Sequence, residues 1–300
     1  YKDDLAHEGV AEPARGYTIA QHEEKMATMD LLDSTATAPR YPVEDQLDVT
    51  KCIFEHFWEL GREPDYLDIG ANYAVLSLVM GDFFRAAGRS SRVIGFEPGT
   101  SCDLARYSTR LNQLEEIVSI ERLAISNRPG LGMVFHEAGH TENNRIVNRM
   151  PETESLSFVM PTTSVDAYLE ELSPDRLGQD YVVKIDTQAS EHLVLEGMAQ
   201  MRARGQVAML IEFDPHNLQY QIDCEVFLAG LAKGAQLFEI APRSPGSERT
   251  PGAQLVRVDT AQHKTLRDEV LGREITFTDL VVLPNDLPGL DALVDRLLGG

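Results

Sequence analysis

Acidic side chains recur at the ends of short apolar runs in this chain, and each run gives way to a turn and then to a helical pattern. In "DYLDIGANYAVLSLV", Asp65 to Val79, Asp68 closes the run, Gly70 permits a tight turn, and small Ala71 and Ala74 flank Asn72 where a helix should begin. Backbone N–H groups at such a corner can face a ligand. A second run, Val93 to Phe96, stops at Glu97, where a strand-tip carboxylate can accept hydrogen bonds from both hydroxyls of a ribose. In "DYVVKID", Lys184 and Asp186 stand two apart and therefore on one sheet face, where the ammonium can neutralise Asp186 or Glu191. Glu212 closes another run, with Asp214 and His216 just beyond.

Each group also has a plainer reading. Asp68 alone fits an ordinary strand-to-helix corner, and Glu97 alone fits a solvated strand end. Their order along the chain makes a shared crevice the better account. Lys184, Asp186 and Glu191 could equally be an ion-pair cluster beneath a site. "EFDPH", around Glu212, offers two carboxylates and an imidazole, but the spacing fits no metal-ligand pattern and no metal is expected. Lone His216 reads as a solvated loop residue before it reads as a base.

The elements that must position these groups alternate. Apolar runs "DYLDIG", "RVIGFEP", "IVSIERLAIS", "DYVVKID", "VAMLIEF", "AQLFEI", "AQLVRV" and "FTDLVVL" are interleaved with helical patterns at "AVLSLVMGDFFRAAG", "SCDLARYSTRLNQL", "SEHLVLEGMAQMRARG" and "CEVFLAGLAKG". This pattern predicts an α/β protein with a mostly parallel sheet of about seven strands, covered by helices on both faces. A packing helix is expected over "DQLDVTKCIFEHFWELG", with Asp45 as N-cap and Gly61 as its stop. Residues 1–44 read as an extension holding one short helix over "IAQHEEKMATMDLL", and 45–300 as one domain. Within it, 130–163 reads as a long irregular insertion, a lid or acceptor loop carrying His136, His140, Asn143 and Asn144.

Composition narrows the function classes. A formal charge of −21 repels phosphate backbones and anionic lipid surfaces, so neither nucleic acid nor membrane is an expected partner. Three scattered cysteines suggest neither a disulfide framework nor a zinc site and suit a reducing cytoplasm. No stretch has the ~18 uninterrupted apolar residues of a membrane span, and the first residues lack a secretory pattern. Oligomeric state leaves no signature.

Taken in order, "YLDIGANYAVLSL", "GFEP" with "LARYSTRLNQL", "AIS", "TTSVDAYL" and "YVVKIDTQASEHLVLEGM" resemble the FkbM family of S-adenosylmethionine-dependent methyltransferases, over roughly Pro64 to Phe213. The resemblance implies a class I methyltransferase Rossmann-like fold with a seven-stranded sheet. It also implies S-adenosylmethionine as cofactor and O-methylation of a hydroxyl on a sugar, glycan or secondary metabolite. On that analogy Asp68, Gly70 and Asn72 lie around the methionine part and Glu97 takes the ribose, while Leu123, Ala124 and Ser126 lie near the adenine edge. Asp186, at the end of the fourth strand, would be the base or acceptor-orienting carboxylate, with Lys184 and Glu212 beside it.

The chain also departs from the family. Gln188 and Ala189 stand where Glu and Gly are usual, and Ala74 replaces the third glycine of the first loop. Gln keeps the hydrogen-bonding length but loses the charge. Ala74 is expected to cost little, as the first residue of a helix. Two rivals follow. One is a non-catalytic methyltransferase-fold binding module, favoured by Gln188 and Ala189. The other is a nicotinamide-dependent oxidoreductase, disfavoured because only Gly70 of G-x-G-x-x-G is present.

Overall fold

The computed structural model describes residues 10–11, 19–20, 43–136, 145–147, 156–241 and 255–299. Strands β1 (Val10–Ala11) and β2 (Ile19–Ala20) pair antiparallel. The helix expected from Ile19 to Leu32 is thus replaced at its first two residues, and the remainder lies outside the described residues.

The main sheet has eight strands. These are β3 (Asp65–Ile69), β4 (Val93–Phe96), β5 (Val118–Glu121), β10 (Tyr181–Ile185), β11 (Val207–Phe213), β12 (Ala235–Ile240), β13 (Leu255–Arg257) and β14 (Thr278–Pro284). Their order is β13-β12-β14-β11-β10-β3-β4-β5. The ladder from β11 through β10, β3 and β4 to β5 is parallel, whereas β14 runs antiparallel to both β11 and β12. The short edge strand β13 raises the expected seven to eight and is antiparallel to β12.

Alternation of side chains across the pleat divides the interior into two cores. Tyr66, Val182, Ala208, Leu210 and Val281 point to one face, beneath α1 (Val43–Glu59) and α2 (Val75–Ala86). Leu67, Ile69, Val183, Ile185, Met209 and Ile211 point to the other, where α4 (Val165–Leu172) packs. With every residue of β10 and β11 buried, both strands carry apolar groups on both faces, the composition that central parallel strands require. Helix α3 (Ser101–Leu111), which follows β4, adds Cys102 and Ala105 to the first core.

Several expectations are revised. Asp45 lies inside α1, which begins two residues earlier; Gly61, at φ +72°, does close that end. The single helix expected over Ser190 to Gly205 is two, α5 (Glu191–Glu196) and α6 (Ala199–Arg204), broken at Gly197. A Cβ there would lie 2.2 Å from the Ser126 carbonyl oxygen, so the chain passes too close for any side chain. The run Ile117 to Ser126 is also divided, between β5 and a separate strand β6 (Ala124–Ile125).

The segment 130–163 is not wholly irregular. It contributes β7 (Gly130–His136), β8 (Arg145–Val147) and β9 (Leu156–Thr163), which join β6 in a second sheet of order β6-β9-β7-β8. His140, Asn143 and Asn144 lie outside the described residues. Among the described residues four further α-helices follow α6: α7 (Pro215–Leu218), α8 (Cys224–Ala232), α9 (His263–Leu271) and α10 (Leu290–Gly299). No described helix is long and apolar enough to cross a membrane.

Candidate functional site

Register brings the acidic groups together at the carboxyl ends of the parallel strands. Lys184 on β10 pairs with Asp68 on β3 and with Leu210 on β11, and Asp68 pairs with Gly95 on β4. Side chains two apart share a face, so Asp68, Lys184, Asp186 and Glu212 all project on the α1 side. Glu97, one step beyond β4, falls on that side as well.

The first corner is tightly built. Gly70 has φ +86°, and a Cβ on it would lie 1.8 Å from the Asp186 carbonyl oxygen. Only glycine allows the ends of β3 and β10 to meet this closely. The N–H groups expected to face a ligand are largely used inside the protein. Those of Gly70 and Ala71 both donate to the Phe96 carbonyl at 3.0 Å, and that of Asn72 donates to Glu97 Oε2 at 2.9 Å. Gly99 N–H donates to the other Glu97 oxygen at 2.6 Å.

Ala74 overturns the expectation of a helical alanine. It sits before the helix, at φ 60° and ψ 31°, in the left-handed region. An alanine there costs about 1–2 kcal/mol relative to its right-handed form. Asn72, at φ 49°, is a residue type that tolerates this region better.

Among the described residues no hydrogen-bond donor reaches two buried acceptors at the corner, Asp68 Oδ1 and Asn72 Oδ1. The other Asp68 oxygen accepts from Ser77 Oγ at 2.6 Å, and the nearest cation to Oδ1 is Lys184 Nζ at 3.9 Å. Burial raises the Asp68 carboxyl above its usual range, against the pull of Lys184 and Ser77. Glu97 is likewise raised by burial, opposed by its two backbone donors. Both carboxylates can accept more hydrogen bonds than the chain gives them.

Lys184 is clamped between carboxylates, 3.0 Å from Asp186 Oδ2 and 3.9 Å from Asp68 Oδ1. Burial works against its charge, but Asp186 and Asp68 outweigh it and hold the ammonium above its ordinary range. Its second partner is therefore Asp68 and not Glu191. The Glu191 carboxylate instead accepts from the Thr187 N–H at 2.9 Å, the Thr187 hydroxyl at 3.1 Å and the Ala189 N–H at 3.2 Å. Burial lifts it to about 7.

That brace holds a strained loop, since Gln188 at φ 55° and Ala189 at φ 73° are both left-handed. Gln188 Nε2 donates to Asp186 Oδ1 at 3.0 Å and to Glu212 Oε2 at 3.1 Å. A glutamate in its place would bring a third carboxyl group against Asp186 and Glu212 and lose the amide's two donors; the amide ties the two together.

Other predicted residues fall elsewhere. Ala124 belongs to β6 in the second sheet, opposite Thr162, and Ser126 follows that strand, its N–H donating to the Thr163 carbonyl at 2.8 Å. Neither is among the hydrogen-bond partners of Glu97. Asp214 caps α7, accepting from the N–H groups of His216 and Asn217, and the His216 side chain is exposed. Asp279, which sequence reasoning missed, lies opposite Glu212 in the β11/β14 register. Its only signal was an acid at the start of an otherwise apolar run.

Six co-directional strands, one strand inserted against them, and a cluster of acids at the carboxyl ends define a class I methyltransferase-like fold. The Methyltransferase FkbM domain model matches residues 68–236, more than half of the chain, and the chain belongs to that family. No curated protein matches it. Among solved structures, methyltransferase FkbM from Methylobacillus flagellatus KT is 12% identical with a TM-score of 0.41, covering 73% of this chain and 43% of that one. The bifunctional kinase-methyltransferase WbdD is 13% identical with a TM-score of 0.45, covering 94% and 46%. An rRNA methylase from Streptococcus thermophilus is 8% identical with a TM-score of 0.35, covering 82% and 97%. The chain thus spans less than half the length of the first two.

Proposed function

We propose that this protein transfers a methyl group from S-adenosylmethionine to a hydroxyl of a sugar, glycan or secondary metabolite. The observation that carries the reading is the pair of buried, donorless acceptors, Asp68 Oδ1 and Asn72 Oδ1, beside Glu97 on one side of the sheet. Such acceptors suit a ligand that brings ammonium and hydroxyl donors, as the amino acid and ribose parts of this cofactor do. Asp68, Gly70 and Asn72 would hold the methionine part, Glu97 the ribose, and Leu123, Ala124 and Ser126 the adenine edge. When bound, the cofactor supplies a sulfonium methyl open to in-line displacement.

Asp186 is the group that takes the acceptor's proton or orients its hydroxyl, held in place by Lys184 Nζ on one oxygen and Gln188 Nε2 on the other. Positioning of this kind supplies up to ~7–11 kcal/mol of a barrier, and a base adds about 10²–10⁴-fold. Glu212 lines the same crevice. Residues 130–163 serve as a lid over the acceptor and 1–44 as an extension of the 45–300 domain. Three unpaired cysteines accord with a reducing cytoplasm.

Calorimetric titration with S-adenosylhomocysteine tests the proposal. Glu97→Ala should weaken binding by ~1–3 kcal/mol, the cost of stranding buried hydrogen-bonding groups. Wild-type protein that binds no S-adenosylhomocysteine would support the binding-module alternative instead.

A further inference from the structure

The row of acids extends beyond the span that the family model matches. β14 runs against β11 and sets Asp279 opposite Glu212, and both side chains are buried, 6% and 8% exposed. Directly opposed residues of an antiparallel pair have Cβ atoms about 4.5–5.5 Å apart. An amide holds each member from a different element: Gln188 Nε2 donates to Glu212 at 3.1 Å, and Gln46 Nε2, from α1, donates to Asp279 Oδ2 at 2.7 Å.

Charges that face the pair are one-sided. Asp45 comes from α1, Asp186 from the residue after β10 and Glu191 from α5, and the cation among them, Lys184, is committed to Asp186 and Asp68. Burial raises Glu212 well above the carboxylate range, with Asp186, Glu191 and Asp279 adding to it. Burial likewise lifts Asp279 to about 6, partly offset by the Gln46 hydrogen bond. Two ionised carboxylates at such a range in a dry site repel strongly, and one of them keeps its proton.

We propose that Glu212 and Asp279 act as one acid that keeps a single proton between them at neutral pH. Asp279 is thereby a positioning residue: it holds Glu212 neutral, so that Asp186, between Lys184 and Gln188, is the carboxylate that receives the acceptor's proton. The inference rests on the reading that Asp186 faces the acceptor.

The test is a ¹³C NMR titration of the full chain, with Asp and Glu carboxyl carbons labelled and assigned through Asp279→Asn and Glu212→Gln. In the wild type the pair should hold one proton at pH 7. Asp279→Asn should lower the proton affinity of Glu212 about tenfold or more, and Glu212→Gln should do the same to Asp279. A merely structural Asp279 would not give this reciprocal shift. Midpoints that ignore the partner's neutralisation, or two ionised carboxyls at pH 7, overturn the proposal.

Should Asp279→Asn fail to fold, Gln46→Leu serves. It removes a bond that favours the ionised form, so the Asp279 midpoint should rise, and an unmoved midpoint counts against the pair. S-adenosylhomocysteine titrated into the same samples separates the two readings. Binding without reciprocal shifts sinks only the shared proton, whereas absence of binding to the wild type sinks the methyl-transfer reading, whatever the midpoints do.

Discussion

The two ends of the central strands carry charge in opposite ways. At the amino end, Asp65 opens β3 and Asp180 precedes β10, and each has its own arginine: Arg176 is 3.1 Å from Asp65 and Arg62 is 2.6 Å from Asp180. Glu63 and Arg89 add another pair at 3.1 Å, and Glu63 lines a shallow, open cavity of about 440 Å³. Acid and base are matched there, although burial still raises the Asp65 carboxyl. At the carboxyl end, Asp68, Asp186, Glu212 and Asp279 are gathered around Lys184, and amides take the place of missing cations. Matched pairs are what a surface needs; an unmatched, buried excess of acid costs stability and is kept where a ligand or a proton uses it.

Removing the carboxyl-end cation should have the largest effect. Lys184→Met leaves the buried Asp68, with the half-buried Asp186 beside it, without their ammonium, and urea denaturation should show a loss of about 3–5 kcal/mol at pH 7. A loss below 1 kcal/mol would make the two ends alike.

The next effect is a pH dependence. Asp279 is raised from 3.8 to about 6, so between those values the folded chain holds a proton that the unfolded chain has released. Its contribution therefore favours folding at low pH and is lost as pH climbs through that window, by roughly 3 kcal/mol in all. Comparing denaturation midpoints at pH 5 and pH 7, Asp279→Asn should flatten this slope. A slope equal to wild type would break the contrast.

The smallest effect is at the other end. Glu63→Gln removes a pair whose members are 36% and 37% exposed, and should cost under about 1 kcal/mol at any pH. A larger cost would mean that the amino end, too, depends on its charges.

Much of the architecture was legible in residues 65–240 because each parallel strand there is a short apolar run, bounded by an acid or glycine and followed by a helical pattern. Lys184 and Asp186 could be placed on one face because strand periodicity fixes facing within a strand, and Asp68 and Glu97 could be joined in one crevice by their order and spacing. Two kinds of feature were hidden. Backbone conformation was one: nothing in "GANYAV" says that Ala74 is left-handed, and composition favoured a helical alanine. Contacts between distant segments were the other. Gly197 breaks a helix because Ser126 passes beside it, and Asp279 joins Glu212 because β14 enters the sheet reversed. Neither relation has a local signal. The second sheet was missed because 130–163 is rich in polar residues and its strands find their partners only through one another.

The reversed insertion of β14 also bears on how the molecule comes to be assembled. Were it parallel to its neighbours, it would deliver Pro284, and not Asp279, to the edge where the acids meet. On a ribosome, β3, β4, β10, β11 and β12 all emerge before residue 279 does, so the slot between β11 and β12 can be filled only once that late strand has been made. Closing that slot is a long-range pairing event of the slow kind, and it places the last acid of the floor in the same step that completes the sheet.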